Sequence, residues 1–266
     1  MIMNNMKHLL YTFAILLMAS SCSNEEMEQI TERGKAKMQF RLSTSECPVQ
    51  IITRATPVPE VETFTVSISN SEGEVVKKTL KELQQESPLF LEAADEGTEY
   101  TVEAYSCEKP EEAILDKPYF YATKTYTVMK DETITAELEC SLQQFQVSFV
   151  PSSDFMSSFR TDEKVEAQGG EKFCLTVSDA NGREVEYTYA DLDKSAYFDG
   201  SKTSSYIKIN IKGTTIKGFP VNYTETIEPD GEVNNNNLFE AKEHIIIDLA
   251  VSASQSLNVK ATQIEL

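Results

Sequence analysis

The sequence predicts an all-β protein, two antiparallel β-sandwich domains in tandem. Three observations carry that prediction. Apolar residues recur with a period of two along most of the chain, turn-forming residues separate the runs, and the order of runs repeats about one domain length further on. Alternation of this kind marks strands with one buried face and one wet face.

The runs follow one another in order. Met38, Phe40 and Leu42 alternate with Lys37, Gln39 and Arg41. Phe64, Val66 and Ile68 alternate with threonine and serine, and Tyr100, Val102 and Ala104 continue the pattern. Ile134, Ala136 and Leu138 lead to Cys140 in the same inward phase, so that thiol is expected in the core. Phe145, Val147 and Phe149 come next, then Phe173, Leu175 and Val177. Val185, Tyr187 and Tyr189 precede the last clear triplet, Ile207, Ile209 and Ile211. Helical spacing is confined to residues 79–86 and 152–159, enough for a turn or two each.

Turn chemistry separates these strands. Asn181-Gly182 tolerates positive φ at both central positions of a tight hairpin, and Asn70 to Gly73 does similar work earlier. Asn234 to Asn237 lies in a long polar loop spanning about 226–240. The turns also expose the repeat. Phe64 to Gly73 aligns with Phe173 to Gly182, and Leu83 then falls on Leu192 without a gap. The strand at 99–105 corresponds to 205–211, and 134–140 to 244–250. Two related domains are therefore expected, 36–141 and 142–266, each of about seven strands.

The N-terminal end has a different character. Lys7 and His8 precede an apolar run from Leu9 to Met18, too short for a spanning helix of ~20 residues and suited to a signal peptide. Ala19-Ser20-Ser21-Cys22 follows and resembles a bacterial lipobox, with Ala19 where leucine is usual. Residues 1–21 are then a lipoprotein signal peptide, Cys22 the acylated residue, and 22–35 an acidic tether. Two or three acyl chains anchor stably where one is marginal. The partner implied is a membrane, reached through the lipid, and the expected place is the outer membrane with the body exposed at the cell surface. Ser23 to Glu28 is acidic and resembles a surface-export signal of double-membraned anaerobes.

Composition narrows the function. With 43 acidic against 24 basic residues and a formal charge of −19, the chain repels nucleic acid and anionic lipid, so neither is expected as a partner. Cys47, Cys107, Cys140 and Cys174 contain no CxxC pair, and three pairings stay open. Only His8 and His244 could supply an imidazole; His8 leaves with the signal, and no nucleophile motif accompanies His244. Among 43 acids some pair lies at any chosen spacing, so carboxylate pairs do not identify a glycosidase. Asp179 to Gly182 opens like a calcium loop but lacks the closing bidentate Glu, and Asp191 with Asp193 reads as solvated. No metal, no cofactor and no catalysis are expected. The densest aromatic cluster is Tyr119, Phe120 and Tyr121: either a binding patch or a strand packing the core. Tryptophan, the best stacking platform for sugars, is absent.

Several of these segments together resemble a known group. They are the lipobox, Thr53-Arg54-Ala55 after the first strand, the hairpin Phe64 to Gly73, Gly97 to Ala104, Asp116-Lys117-Pro118-Tyr119 with Tyr126 to Val128, and Leu138-Glu139-Cys140. The chain looks like the surface lipoproteins of gut anaerobes allied to the fimbrillins. That resemblance implies tandem transthyretin-like or immunoglobulin-like sandwiches and a structural or adhesive role, as a fimbrial subunit or anchor. It also implies other fimbrial subunits as partners, proteolytic processing after Arg54, and exchange of a strand between subunits, the strand ending at Leu266 being one donor. The alternative is a surface module binding a glycan or a host protein.

Overall fold

The structure is a computed structural model and describes residues 34–45, 59–161, 165–233, 235–252 and 256–266. It is all-β and sandwich-like. β1 (Lys35–Thr44), β2 (Thr65–Asn70), β3 (Gly73–Thr79), β4 (Leu89–Glu92), β5 (Thr98–Tyr105), β7 (Phe120–Val128) and β8 (Thr133–Leu142) form one sheet, ordered β3-β2-β5-β7-β8-β1-β4. β7 and β8 pair only through Phe120 and Tyr121, so the sheet folds at that corner and its halves close over one core. Met38, Phe64, Val66, Val102 and Cys140 are all wholly buried there.

The same wiring recurs in the rest of the chain. β9 (Gln144–Pro151), β10 (Cys174–Asp179), β11 (Glu184–Tyr187), β12 (Ser195–Asp199), β13 (Ile207–Thr214) and β14 (Pro220–Ile227) come first. β15 (Glu243–Val251) and β16 (Leu257–Glu265) follow. One sheet is β11-β10-β13-β14 and the other β16-β15-β9-β12-β6, where β6 is Ile114–Leu115. β12-β9-β15 thus repeats β4-β1-β8, and β11-β10-β13-β14 repeats β3-β2-β5-β7. A second core, with Phe145, Phe173, Ile209 and Ile247, lies between these two sheets. β6 belongs by sequence to the first half but pairs with β12, opposite Ala196 and Tyr197.

Two ladders depart from the antiparallel expectation. β1 runs parallel to β8, and β15 parallel to β9. Alternation reports which face a residue uses and is blind to strand direction, so the runs at 38–42 and 134–138 did not disclose it.

Both helical segments form where the spacing puts them. α1 (Leu80–Gln85) starts at a capping box: Thr79 Oγ1 accepts from the Glu82 backbone, and the Glu82 carboxylate accepts from the Thr79 N–H at 2.8 Å. Leu80 and Leu83 then face the first core. Thr188 and Asp191 build an equivalent box at the corresponding place in the second half. α2 (Ser153–Met156) is capped by Ser152 and buries Phe155. The Asn181-Gly182 turn differs from a two-residue hairpin. Gly182 N–H donates to Asp179 O at 3.1 Å and only Gly182 takes positive φ, at 76°. Asn181 stays in the ordinary region because its side chain bonds the Asp179 carboxylate and Thr203 O.

The β15-β9-β12 part of the second sheet presents both faces to protein. Phe145, Val147 and Phe149 enter the second core. On the opposite face Gln144, Gln146, Tyr197, His244 and Ile246 are all at most 5% exposed, and Tyr197 joins the first core. The polar members of that face read as solvent-facing in sequence; here the first sandwich covers them. Gln144 Oε1 accepts from the Tyr119 N–H at 2.6 Å, and Gln146 Nε2 donates to Ser195 Oγ at 2.8 Å. These bonds offset part of the cost of burying an amide, which unpaired is ~1–3 kcal/mol.

Phe64 packs against Phe120 with tilted rings 6.3 Å apart, and Phe173 meets Phe159 edge-on at 5.0 Å. Phe64→Ala and Phe173→Ala should each lower stability by ~3–5 kcal/mol in denaturant unfolding, and by less where neighbours collapse into the gap.

Candidate functional site

The aromatic cluster lies where β5, β7 and the junction of the two cores meet. Ser106 sets its backbone: its hydroxyl donates to Pro118 O at 3.0 Å and accepts from the Phe120 N–H at 2.9 Å. Gln143 N–H donates to Tyr119 O at 2.9 Å from the other side. With the backbone held, alternation sorts the three side chains. Phe120 points into the first core at 1% exposure. Tyr119 is buried against the junction, and its ring lies 6.2 Å from that of Tyr121 at 26°. Tyr121 is half-buried on the outer face.

Strand register then brings in residues the sequence did not single out. Tyr121 sits opposite Tyr105 of β5, and its hydroxyl donates to Glu103 Oε1 at 2.6 Å. Lys77 Nζ stands 5.8 Å from the centre of the Tyr105 ring and 3.5 Å from Glu108. The accessible patch is therefore Tyr105, Tyr121, Glu103 and Lys77, with Tyr119 behind it and Phe120 in the core. Burial, then Tyr121 alongside, pushes the Tyr119 phenol up to about 12. A bond to Tyr105 raises the Lys77 ammonium above its usual range. Both groups keep their ordinary neutral-pH forms, so the patch offers aromatic faces, a carboxylate and an ammonium. That chemistry suits stacking and hydrogen bonding.

The other sequence candidates fall as follows. Cys22, Arg54 and Cys47 lie outside the described residues. Cys107, Cys140 and Cys174 are free thiols. Cys140 is core, as its phase implies, and burial pushes its thiol up to about 11. Asp179 is consumed by its own turn: it pairs with Arg183 and accepts from the Asn181 and Arg183 N–H groups at 3.0 and 2.9 Å. Asp191 is held by Thr188 and by Lys194 at 2.7 Å, with Lys194 the main cause of its lowered pKa. Among the described residues no three His, Cys, Asp or Glu side chains converge as a metal site. No described helix is long and apolar enough to cross a membrane.

His244 has a partner that no motif announced. The parallel β9–β15 ladder sets Ser148 Oγ 2.7 Å from its Nε2. Burial lowers the imidazole pKa to about 4. A general base works best with a pKa near the operating pH, and this one is far below it. The pair satisfies a buried ring nitrogen in the junction.

Fold and site together define an all-β, sandwich-like protein with a tyrosine–carboxylate patch beside the junction of two cores. Over residues 34–266 the chain matches the family described as a domain of unknown function, DUF4493, and it belongs to that family. No curated protein matches it in sequence. Among solved structures it is similar to a putative cell adhesion protein from Bacteroides uniformis, at 8% identity and a TM-score of 0.44, covering 88% of this chain and 97% of that one. One from Bacteroides ovatus gives 8%, 0.42, 88% and 97% for the same quantities. Putative polysaccharide binding proteins from Bacteroides thetaiotaomicron give 10%, 0.33, 87% and 98%.

His244 makes stability depend on pH. An unfolded chain protonates it near 6.5 and the folded one near 4. Its contribution is whole above about pH 6.5 and is lost as pH falls towards 4, roughly 2–4 kcal/mol in all. Denaturant midpoints at pH 7 and pH 4.5 should differ more in the wild type than in His244→Gln. Equal differences would remove His244 as the cause.

Proposed function

We propose that this protein is a lipid-anchored surface protein with a structural or adhesive role, allied to the fimbrillins and without catalysis. In this reading residues 1–21 are removed, Cys22 carries the lipid in the outer membrane, and 22–35 is the tether. The domains 36–141 and 142–266 stand at the cell surface. One observation supports it above the rest. β1 is clasped between β8 and β4 and buries Ala36, Met38 and Phe40, and the chain between β1 and β2 contains Arg54. A cut after Arg54 leaves β1 held by noncovalent contacts alone. Its loss would bare the edges of β8 and β4 and an apolar slot between them, which a strand from another subunit can fill. β16 is less available as a donor. It pairs with β15 along all nine of its residues, and Leu266 N–H donates to Lys242 O at 2.6 Å.

A second reading rests on the tyrosine patch. Tyr105 and Tyr121 beside Glu103 present ring faces and a carboxylate, the groups that hold a sugar ring or a peptide side chain.

Two experiments separate these readings. Arginine-specific proteolysis of intact cells, followed by mass spectrometry, should find the cut after Arg54 and the acylated end at Cys22. The cut protein should then form denaturant-resistant ladders on a gel, and Arg54→Ala should not. A lone monomer after complete cleavage removes the assembly reading. For the second reading, Tyr121→Ala should weaken binding to a glycan-array hit about fivefold, since a lost stacking contact is worth ~1 kcal/mol. An array silent for the wild type removes it.

A further inference from the structure

The far end of the second sandwich carries a formed apolar pocket of about 330 Å³ that the proposed function does not use. β9 leaves the junction at Gln144 and reaches Pro151 beside Leu249, where α2 begins. Beyond α2, Phe159 bridges to Thr215 at the tip of the β13–β14 hairpin. Phe159 is the floor of the pocket; Ile216 and Phe219 of the tip, with Val251 and Leu257, form its walls.

The walls are held before any ligand arrives. Phe159 is 4% exposed and packs on Phe155 and Phe173 at 5.2 and 5.0 Å. The tip is closed by Thr215 N–H to Phe219 O at 2.8 Å and Phe219 N–H to Thr215 Oγ1 at 3.0 Å. Ile216 N–H ties it to Ser158 O at 2.9 Å. Yet Ile216 and Phe219 are 64% and 63% exposed, apolar surface left in water around a ready cavity. The volume is at the lower end of small-molecule sites, ~300–1,000 Å³, and suits one acyl chain of medium length.

Charge selects the head group. In a chain with 43 acids and 24 bases, the pocket lining among the described residues includes one charged residue, Lys217, and no acid. The hydroxyls do not add a second charge, and Ser158 Oγ is already bonded to Asp154 O at 2.6 Å. A cationic rim on an apolar cavity fits an amphiphile with a single negative end.

We propose that this pocket binds a medium-chain carboxylic acid, its acyl chain over Phe159 between Ile216 and Phe219 and its carboxylate at Lys217. The site lies apart from the tyrosine patch and from β1, so it stands or falls independently of the proposed function.

The test is calorimetric titration of the full chain with sodium decanoate below its micelle concentration. One saturable site is expected. Octanoate should bind about fifteenfold more weakly, because each methylene lost costs about fourfold. Lys217→Glu should weaken decanoate about fivefold, the scale of an exposed ion pair, and leave decanol unchanged. Phe219→Ser should weaken both. Each variant replaces an exposed side chain, and an unchanged unfolding curve checks that the fold persists. Absence of saturation overturns the proposal, as does binding that neither variant alters. Decanol binding as tightly as decanoate overturns the carboxylate assignment. Phe219-dependent binding to neutral phosphatidylcholine vesicles without decanoate binding would make the tip a membrane contact instead.

Discussion

Both cores depend on one short stretch of backbone, Leu142 to Gln146. β8 ends at Leu142 and β9 begins at Gln144, so a single residue separates the two strands. The even-numbered residues keep one direction through that stretch. Cys140 and Leu142 enter the first core, and Gln144 and Gln146 continue on the face that the first sandwich covers. The odd-numbered side chains Phe145 and Val147 open the second core on the other side. The stretch is pinned on both flanks: Gln143 N–H donates to Tyr119 O, and Gly200 N–H donates to Gln143 O, each at 2.9 Å. Displacing it would uncover apolar surface in both sandwiches at once.

This shared layer explains why polar side chains are buried in a protein whose cores are otherwise apolar. The amides of Gln144 and Gln146, and the ring of His244, lie where the second sheet meets the first sandwich. Gln144 Oε1, Gln146 Nε2 and His244 Nε2 have defined partners in Tyr119, Ser195 and Ser148, while Gln144 Nε2 is buried without a hydrogen bond among the described residues. The bonds to Ser195 and Ser148 join neighbouring strands of the second sheet and let its polar face be covered, whereas the Gln144–Tyr119 bond crosses to the first sandwich and would be lost on misdocking, leaving a buried acceptor unpaired. The tyrosine patch inherits its rigidity from the same place, since Tyr119 is fixed by Gln143 and Gln144 while Tyr121 projects outward two residues later.

The duplicated wiring gives the two halves different free surfaces. In the first, the sheet folds at the β7–β8 corner, and β1 sits inside it. In the second, β16 extends the sheet past β15, and the hairpin tip at Thr215–Phe219 stays uncovered. One repeated arrangement thereby holds β1 between two strands in the first half and leaves an apolar pocket open in the second.

Period-two alternation was enough to place β1, β2, β5, β8, β9, β10 and β13 and the inward side of Cys140, because the pleat assigns each side chain a face before any partner is known. Helical spacing placed the two short helices, and Tyr189, in phase with Val185 and Tyr187, lies beyond the end of β11. The equal spacing of Phe64 to Leu83 and Phe173 to Leu192 likewise anticipated the repeated hairpins. Alternation says nothing of what lies across that face. Only tertiary structure buried Gln146 and His244, set β1 parallel to β8 and β15 parallel to β9, and drew Ser148 to His244. Register between distant strands, decided by packing, likewise set Tyr105 and Glu103 beside Tyr121. Those pairings depend on the relative placement of segments many residues apart, which a one-dimensional pattern does not encode.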